Sequence, residues 1–287
     1  MMFDSMNEKL KTRAAELLES GAVSRILAWR RGLLEYDYEP AFLDNADKID
    51  YNRFCGVNLT KTLARNKIDE GKTLVLARPC ETYGLNLLVG ERQLNRKDMY
   101  IIGVGCPGMQ GKGREPLEKC LACTNKEHKI FDEVIGAEIS EETGKVNRFE
   151  EVARLEGLTE AEREGFWRGH LSRCQRCHAC RNICVSCNCK SCVFDNPNSG
   201  IAAKSNAGED EENIYHIIRA YHVAGRCTDC GECSRACPEG IPLYLLNRKF
   251  IKDINNLYGE FQAGEAADQT SPLHSFELSD PEPGGIE

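Results

Sequence analysis

The residues best equipped for chemistry are cysteines, and their spacing says which chemistry. Near its C-terminal end the chain reads Cys174-x2-Cys177-x2-Cys180-x3-Cys184, then Cys227-x2-Cys230-x2-Cys233-x3-Cys237 with Pro238 next. Thiolates three residues apart in a tight turn can converge on three irons of a 4Fe-4S cube, leaving the fourth iron for a distant thiolate. Where one chain carries two such combs, each cluster takes its fourth ligand from the other comb. The spacing therefore assigns Cys174, Cys177, Cys180 and Cys237 to one cluster and Cys227, Cys230, Cys233 and Cys184 to a second. Structural zinc is the competing use of Cys-x2-Cys pairs, but zinc takes two pairs from separate knuckles and has no use for two complete combs.

The first comb is the less regular. Val185 stands where the second comb has Pro238, and Cys187, Cys189 and Cys192 follow at once. The fourth ligand is thus open between Cys184 and Cys187, and the trio reads either as small buried thiols or as part of another site. His170, His178, His216 and His222 flank the combs and, with eight cysteines in place, read as hydrogen-bonding or helix-surface residues.

Four more cysteines lie upstream. Cys80 follows the apolar run Thr73–Ala77, and Cys106 follows Tyr100–Val104. The C-terminal ends of two parallel strands face one crevice, which is where such sheets bind ligands. With Cys120-x2-Cys123 they make a four-thiolate set able to hold a third 4Fe-4S cluster; the alternative is a redox pair at Cys120 and Cys123 with two core thiols. Gly103-x-Gly105-x-x-Gly108 matches a dinucleotide fingerprint, but Pro107, Gly111, Gly113 and Pro116 oppose the helix that fingerprint needs. The glycines read instead as room for backbone to approach a cluster. A second reading places FAD in this crevice, with hydride transfer there. No Ser/His/Asp or paired-carboxylate arrangement points to hydrolysis, so no independent catalytic residues are assigned.

These sites need elements to hold them. Leu10, Ala14, Leu17 and Leu18 have helical spacing over residues 4–19, and Gly21 stops the run. Val23–Trp29 suits a strand, and Asn58 or Thr60 caps a helix reaching about Ile68. Thr73–Ala77 is apolar throughout, as in a strand covered on both faces. A helix over about 81–92 separates it from the strand at 100–104, which gives an α/β domain with a small parallel or mixed sheet over residues 1–136. Residues 137–170 read as a helical bridge, with Thr159 and Glu162 as a capping box. Residues 171–258 read as an α-helical ferredoxin-like dicluster domain: Ile214, Ile217, Ile218 and Tyr221 mark one face of a helix, and Leu245, Leu246, Phe250, Ile251 and Ile254 the buried stripe of another. Ser205 to Glu212 reads as loop, and residues 259–287 as a flexible or partner-bound tail.

Composition narrows the class. Sixteen cysteines in 287 residues, with a polar start that reads as a helix and not as a secretory signal, fit metal ligation in a reducing cytoplasm. No run approaches the ~20 apolar residues of a membrane helix, so no direct membrane insertion is expected. A net charge of −8 without a basic cluster argues against nucleic acid.

Arg-Pro-Cys-Glu-Thr at 78–82, Gly-Val-Gly-Cys-Pro-Gly at 103–108 and the Cys120/Cys123 pair resemble the beta-subunit family of deazaflavin-reducing hydrogenases and formate dehydrogenases. Phe166 to Cys192 and Ala224 to Pro242 are similar to dicluster iron–sulfur subunits of that group and of sulfhydrogenases. The resemblance spans roughly residues 70–255. It implies an electron-transfer subunit of an anaerobic hetero-oligomeric oxidoreductase. Its partners would be a formate dehydrogenase, hydrogenase or heterodisulfide-reductase-like subunit and a flavoprotein.

Overall fold

In the computed structural model, residues 2–54, 56–66, 71–136, 143–196, 198, 209–274, 276 and 278 are described. The chain divides into two compact units: residues 1–147 with 264–269, and residues 148–263 with 270–287.

The first unit is built on a mixed five-stranded sheet. Helix α1 (Met2–Glu19) leads into β1 (Arg25–Arg31) and β2 (Tyr38–Leu43), and α2 (Leu59–Arg65) precedes β3 (Thr73–Ala77). Then come α3 (Pro79–Gly90), β4 (Met99–Val104), the short α4 (Glu118–Leu121) and β5 (Glu133–Ile135). The strand order is β2-β1-β3-β4-β5; β1 and β2 are antiparallel, and the other pairs are parallel. All five residues of β3 are buried, as expected for a central strand covered on both faces. Leu10, Ala14 and Leu17 of α1, Leu59 and Leu63 of α2 and Leu85 of α3 join the strands in one apolar core. Asn58 caps α2 through its side chain, and that helix is described to Arg65; Ile68 lies outside the described residues.

Helix α3 begins two residues earlier than expected, because Pro79 can occupy the first helical position, where an N–H would be unsatisfied. Cys80 is therefore a first-turn helix residue, not a loop residue. Gly264 is pressed onto this helix: its φ is +82°, a Cβ there would meet Tyr83 O at 2.1 Å, and its carbonyl accepts from Asn86 (3.0 Å). Residues 259–274, expected to be tail, thus include packed backbone; residues 275, 277 and 279–287 lie outside the described set.

The second unit carries helices and, among the described residues, no strand. These are α5 (Glu150–Glu156), α6 (Glu160–Leu171), α7 (Ala179–Ile183), α8 (Glu209–His222), α9 (Glu232–Arg235) and α10 (Leu243–Tyr258). The Thr159–Glu162 capping box forms and starts α6. Helix α8 begins within the stretch read as loop up to Glu212; residues 205–208 lie outside the described set. The apolar clusters here are small. One gathers Leu171, Ile241 and Leu243 around Cys180 and Cys233, and the other Val152, Leu155 and Leu245. No helix among the described residues is long and apolar enough to cross a membrane.

Candidate metal centres

The two combs repeat one backbone trace. In the first, Arg176 (φ +51°) and His178 (φ +61°) are left-handed; in the second, the equivalent Asp229 (φ +55°) and Gly231 (φ +68°) are. Each pair brackets the comb's second cysteine and turns the chain into a short helix, α7 or α9, that carries the third. A left-handed residue other than glycine costs roughly 1–2 kcal/mol, so contacts must hold it there. Arg176 pairs with Glu212 (3.3 Å) and donates to Glu211 O (3.3 Å). His178 Nδ1 lies 3.0 Å from the Tyr215 hydroxyl, and Asp229 accepts from Arg248 Nε at 2.8 Å.

The trace aims backbone N–H groups at sulfur. Arg176 N donates to Cys174 Sγ at 3.4 Å, and the same two-residue reach joins Asp229 to Cys227, Glu232 to Cys230 and Ser186 to Cys184. Cluster thiolates use such donors. Helices α7 and α9 pack together, and the thiols fall into two neighbourhoods. Cys174, Cys177 and Cys180 line a cavity together with Cys237 and Pro238, walled by Tyr215, His216, Ile241 and Leu243. Cys184 lies within electrostatic reach of Cys227, Cys230 and Cys233. Burial pushes Cys174 and Cys230 up to about 12 and Cys233 up to about 11. Thiols so placed become thiolates when a cation repays the lost hydration.

Cys184 is the exception. A hydrogen bond with the Cys187 side chain brings it down to about 5, and Arg219 pulls in the same direction. Cys184 and Cys187, the two candidates for the fourth ligand, are therefore neighbours. Cys189 is exposed and Cys192 half-buried next to Arg181, so the trailing trio is not one buried set.

In the sheet unit, Ala77 and Gly103 are paired across β3 and β4, and Cys80 and Cys106 each stand three residues further on. The two thiols are within electrostatic reach of each other. Cys80 is fixed by a clamp around it: Arg78 and Glu81 form a two-pronged buried ion pair (2.9 and 3.0 Å). Glu81 also accepts from Leu59 N at the start of α2 (2.8 Å), and Arg78 lies over the Trp29 ring. Burial pushes the Cys80 thiol well up, while Arg78 and Lys119 pull it down. Cys120 Sγ accepts from Met109 N (3.4 Å), and the Cys123 thiol faces Asn125 O (3.7 Å).

Two of the glycines near Cys106 lie close against neighbouring side chains. A Cβ on Gly103 would meet the His128 ring at 2.7 Å, and one on Gly108 (φ +87°) would meet Thr143 Cγ2 at 2.7 Å. They make room for protein side chains. No helix opens at the fingerprint, since the next one after β4 starts at Glu118. A cavity of about 480 Å³ lies beside this turn, lined by Met2, Phe3, Met6, Lys9, Tyr51 and Gly105 among others.

Residues 170–241 match the family model described as a 4Fe-4S dicluster domain. The chain is similar to the F420-dependent formate dehydrogenase subunit beta of Methanocaldococcus jannaschii, 23% identical over an alignment covering 82% of this chain and 86% of that protein. It is also similar to the F420-dependent formate dehydrogenase 1 subunit beta of Methanococcus maripaludis, 25% identical over 32% of this chain and 24% of that protein. The resemblance to formate dehydrogenase beta subunits is thereby shown.

Within the dicluster domain, the face of α8 that turns inward is not its isoleucine face. Ile214, Ile217 and Tyr221 are exposed, whereas Glu212, Tyr215, His216 and Arg219 are buried. Sequence reasoning missed Arg219 and Glu212; the available signal was their helical spacing with His216 beside a cysteine comb. Cys174 Sγ, His216 and Glu212 lie within 4.8 Å of one another, and Glu212 is held by Arg176. His216 Nε2 is 3.3 Å from Cys174 Sγ. Burial, with Arg219 and Arg176 nearby, pushes His216 down to about 3, so its ring is neutral. Asn247 Nδ2 donates to Cys233 Sγ (3.6 Å). Arg219 is 1% exposed, and none of its three nitrogens has a hydrogen-bond partner among the described residues. Buried cations are paired, so an orphan guanidinium among thiols fits a site that receives an anion; an iron–sulfur cluster with four thiolates is one.

Proposed function

We propose that the chain is an iron–sulfur electron-transfer subunit of a multi-subunit oxidoreductase. Cys174, Cys177, Cys180 and Cys237 hold one 4Fe-4S cluster, and Cys227, Cys230, Cys233 and Cys184 a second; Cys80, Cys106, Cys120 and Cys123 hold a third. What carries the reading is the cavity lined by three cysteines of the first comb and the last cysteine of the second. Such clusters, when bound, take up and release single electrons. The left-handed turns present N–H donors to the thiolates, while Leu171, Ile241 and Leu243 exclude water from them. The partners are a formate dehydrogenase, hydrogenase or heterodisulfide-reductase-like subunit and a flavin-containing subunit; the similarity to beta subunits of formate dehydrogenases supports the first of these.

Iron and acid-labile sulfide in protein purified without oxygen test this. About eight of each per chain fit two clusters and about twelve fit three; zinc without sulfide would sink the reading. The second reading, an FAD performing hydride transfer in the sheet unit, is favoured by the cavity beside Cys106. Flavin released by acid, with activity retained by the isolated chain, is the result that would promote it.

A further inference from the structure

The buried face of α8 carries a cation with no hydrogen-bond partner among the described residues. Arg219 is 1% exposed, and its Nε, Nη1 and Nη2 are all buried and unpartnered among the described residues. Lone buried charges are strongly disfavoured, and guanidinium in particular keeps its proton in any protein setting. Its charge reaches Cys180 in one cysteine neighbourhood and Cys184 and Cys233 in the other, together with Cys187. The nearby acidic residue on the same face, Glu212, is engaged by Arg176, so it does not supply the missing partner. Arginine differs from lysine in presenting five N–H donors in a rigid planar fork, which can address two acceptors in different directions at once.

We propose that Arg219 is a positioning residue shared by both clusters of the dicluster domain: one guanidinium, with its charge within reach of cysteines of both sets and its N–H groups unspent on protein, donates to the sulfides of the cluster on each side. The inference rests on the cluster assignment above. A 4Fe-4S cluster with four thiolates is anionic and gains one more negative charge on reduction, so a cation held against it favours the reduced form. A single cation facing both sets raises both reduction potentials together. His216 and Asn247 do not duplicate this role, since each contacts one sulfur, Cys174 or Cys233.

The test is a potentiometric titration of the anaerobically purified holoprotein with dithionite, followed by electron paramagnetic resonance, in wild type and Arg219→Gln. At a given potential the reduced-to-oxidised ratio of both dicluster signals should fall roughly 10-fold in the variant, equivalent to a drop of about 59 mV for a one-electron couple. Unchanged potentials at full iron load overturn the proposal, and so does a shift confined to one cluster. If Arg219→Gln does not load, Arg219→Lys decides: a lone ammonium cannot span both sets, so one potential should hold and the other fall, and two unchanged potentials overturn the shared role. Wild-type iron and sulfide keep the outcomes separate. Protein lacking both defeats the cluster assignment itself, whereas protein with both and insensitive to Arg219 defeats this inference alone.

Discussion

The first comb holds its left-handed turn with Arg176 and His178, the second with Asp229 and Gly231, and the side chains that steady them come from different helices. Arg176 and His178 are tied to Glu212 and Tyr215 of α8; Asp229 is tied to Arg248 of α10 and lies 3.7 Å from Arg148. The backbone geometry that aims N–H groups at sulfur is thus common to both, while its support is not. The second comb needs one anchored side chain because glycine takes its other left-handed position at little steric cost. The first has no glycine there and depends on two anchors, both on the helix that also carries His216 and Arg219. Its cysteines are also less enclosed, with Cys177 exposed where Cys230 is not.

The sharpest challenge to this comparison is to remove the equivalent third cysteines. Cys180→Ser and Cys233→Ser should each cost about four irons per chain and remove different paramagnetic signals. Loss of the same signal in both variants would break the cross-ligated scheme. Next in size is the choice of fourth ligand. Cys184→Ser should disturb the cluster of the second comb, whereas Cys187→Ser should leave its iron content intact; the reverse result would move the ligand to Cys187. Arg248→Ala leaves Asp229 buried without its main partner and should lower stability by about 3–5 kcal/mol, read by denaturant unfolding of the holoprotein. Tyr215→Phe removes the hydroxyl beside His178 and should cost the first comb about 0.5–1.5 kcal/mol, leaving the second comb's signal in place. Equal disturbance of both signals would mean that the two supports are not separate.

Much of this was legible in the sequence where one signal dominates. The apolar run Leu74 to Ala77 behind Thr73 gave β3, and the Thr159–Glu162 spacing gave the start of α6. The comb spacing led to the dicluster domain. Elements without such a signal were missed. The edge strand β2 carries Pro40 and an exposed Glu39, and β5 is three residues long, so neither shows the periodicity of a strand. Helix α8 misled for a physical reason: its isoleucines suggest the inward face, but the interior here is lined by sulfur and favours donors and a cation. The glycines at 103 and 108 were legible as positions lacking a Cβ. What they admit, His128 and Thr143, comes from loops that sequence spacing does not bring together.

The Arg78–Glu81 clamp around Cys80 has a consequence for ionic strength. Its two side chains are 2% and 1% exposed, whereas the Arg13–Glu133 bridge in the same unit is 35% and 31% exposed. Dissolved ions screen charges they can approach, and at 0.1 M they do so within about 10 Å in water. Added salt should therefore loosen how α1 is tethered to β5 long before it reaches the mount of the Cys80 thiol. The sheet unit can soften at its rim in concentrated electrolyte while this sulfur stays in register with Cys106.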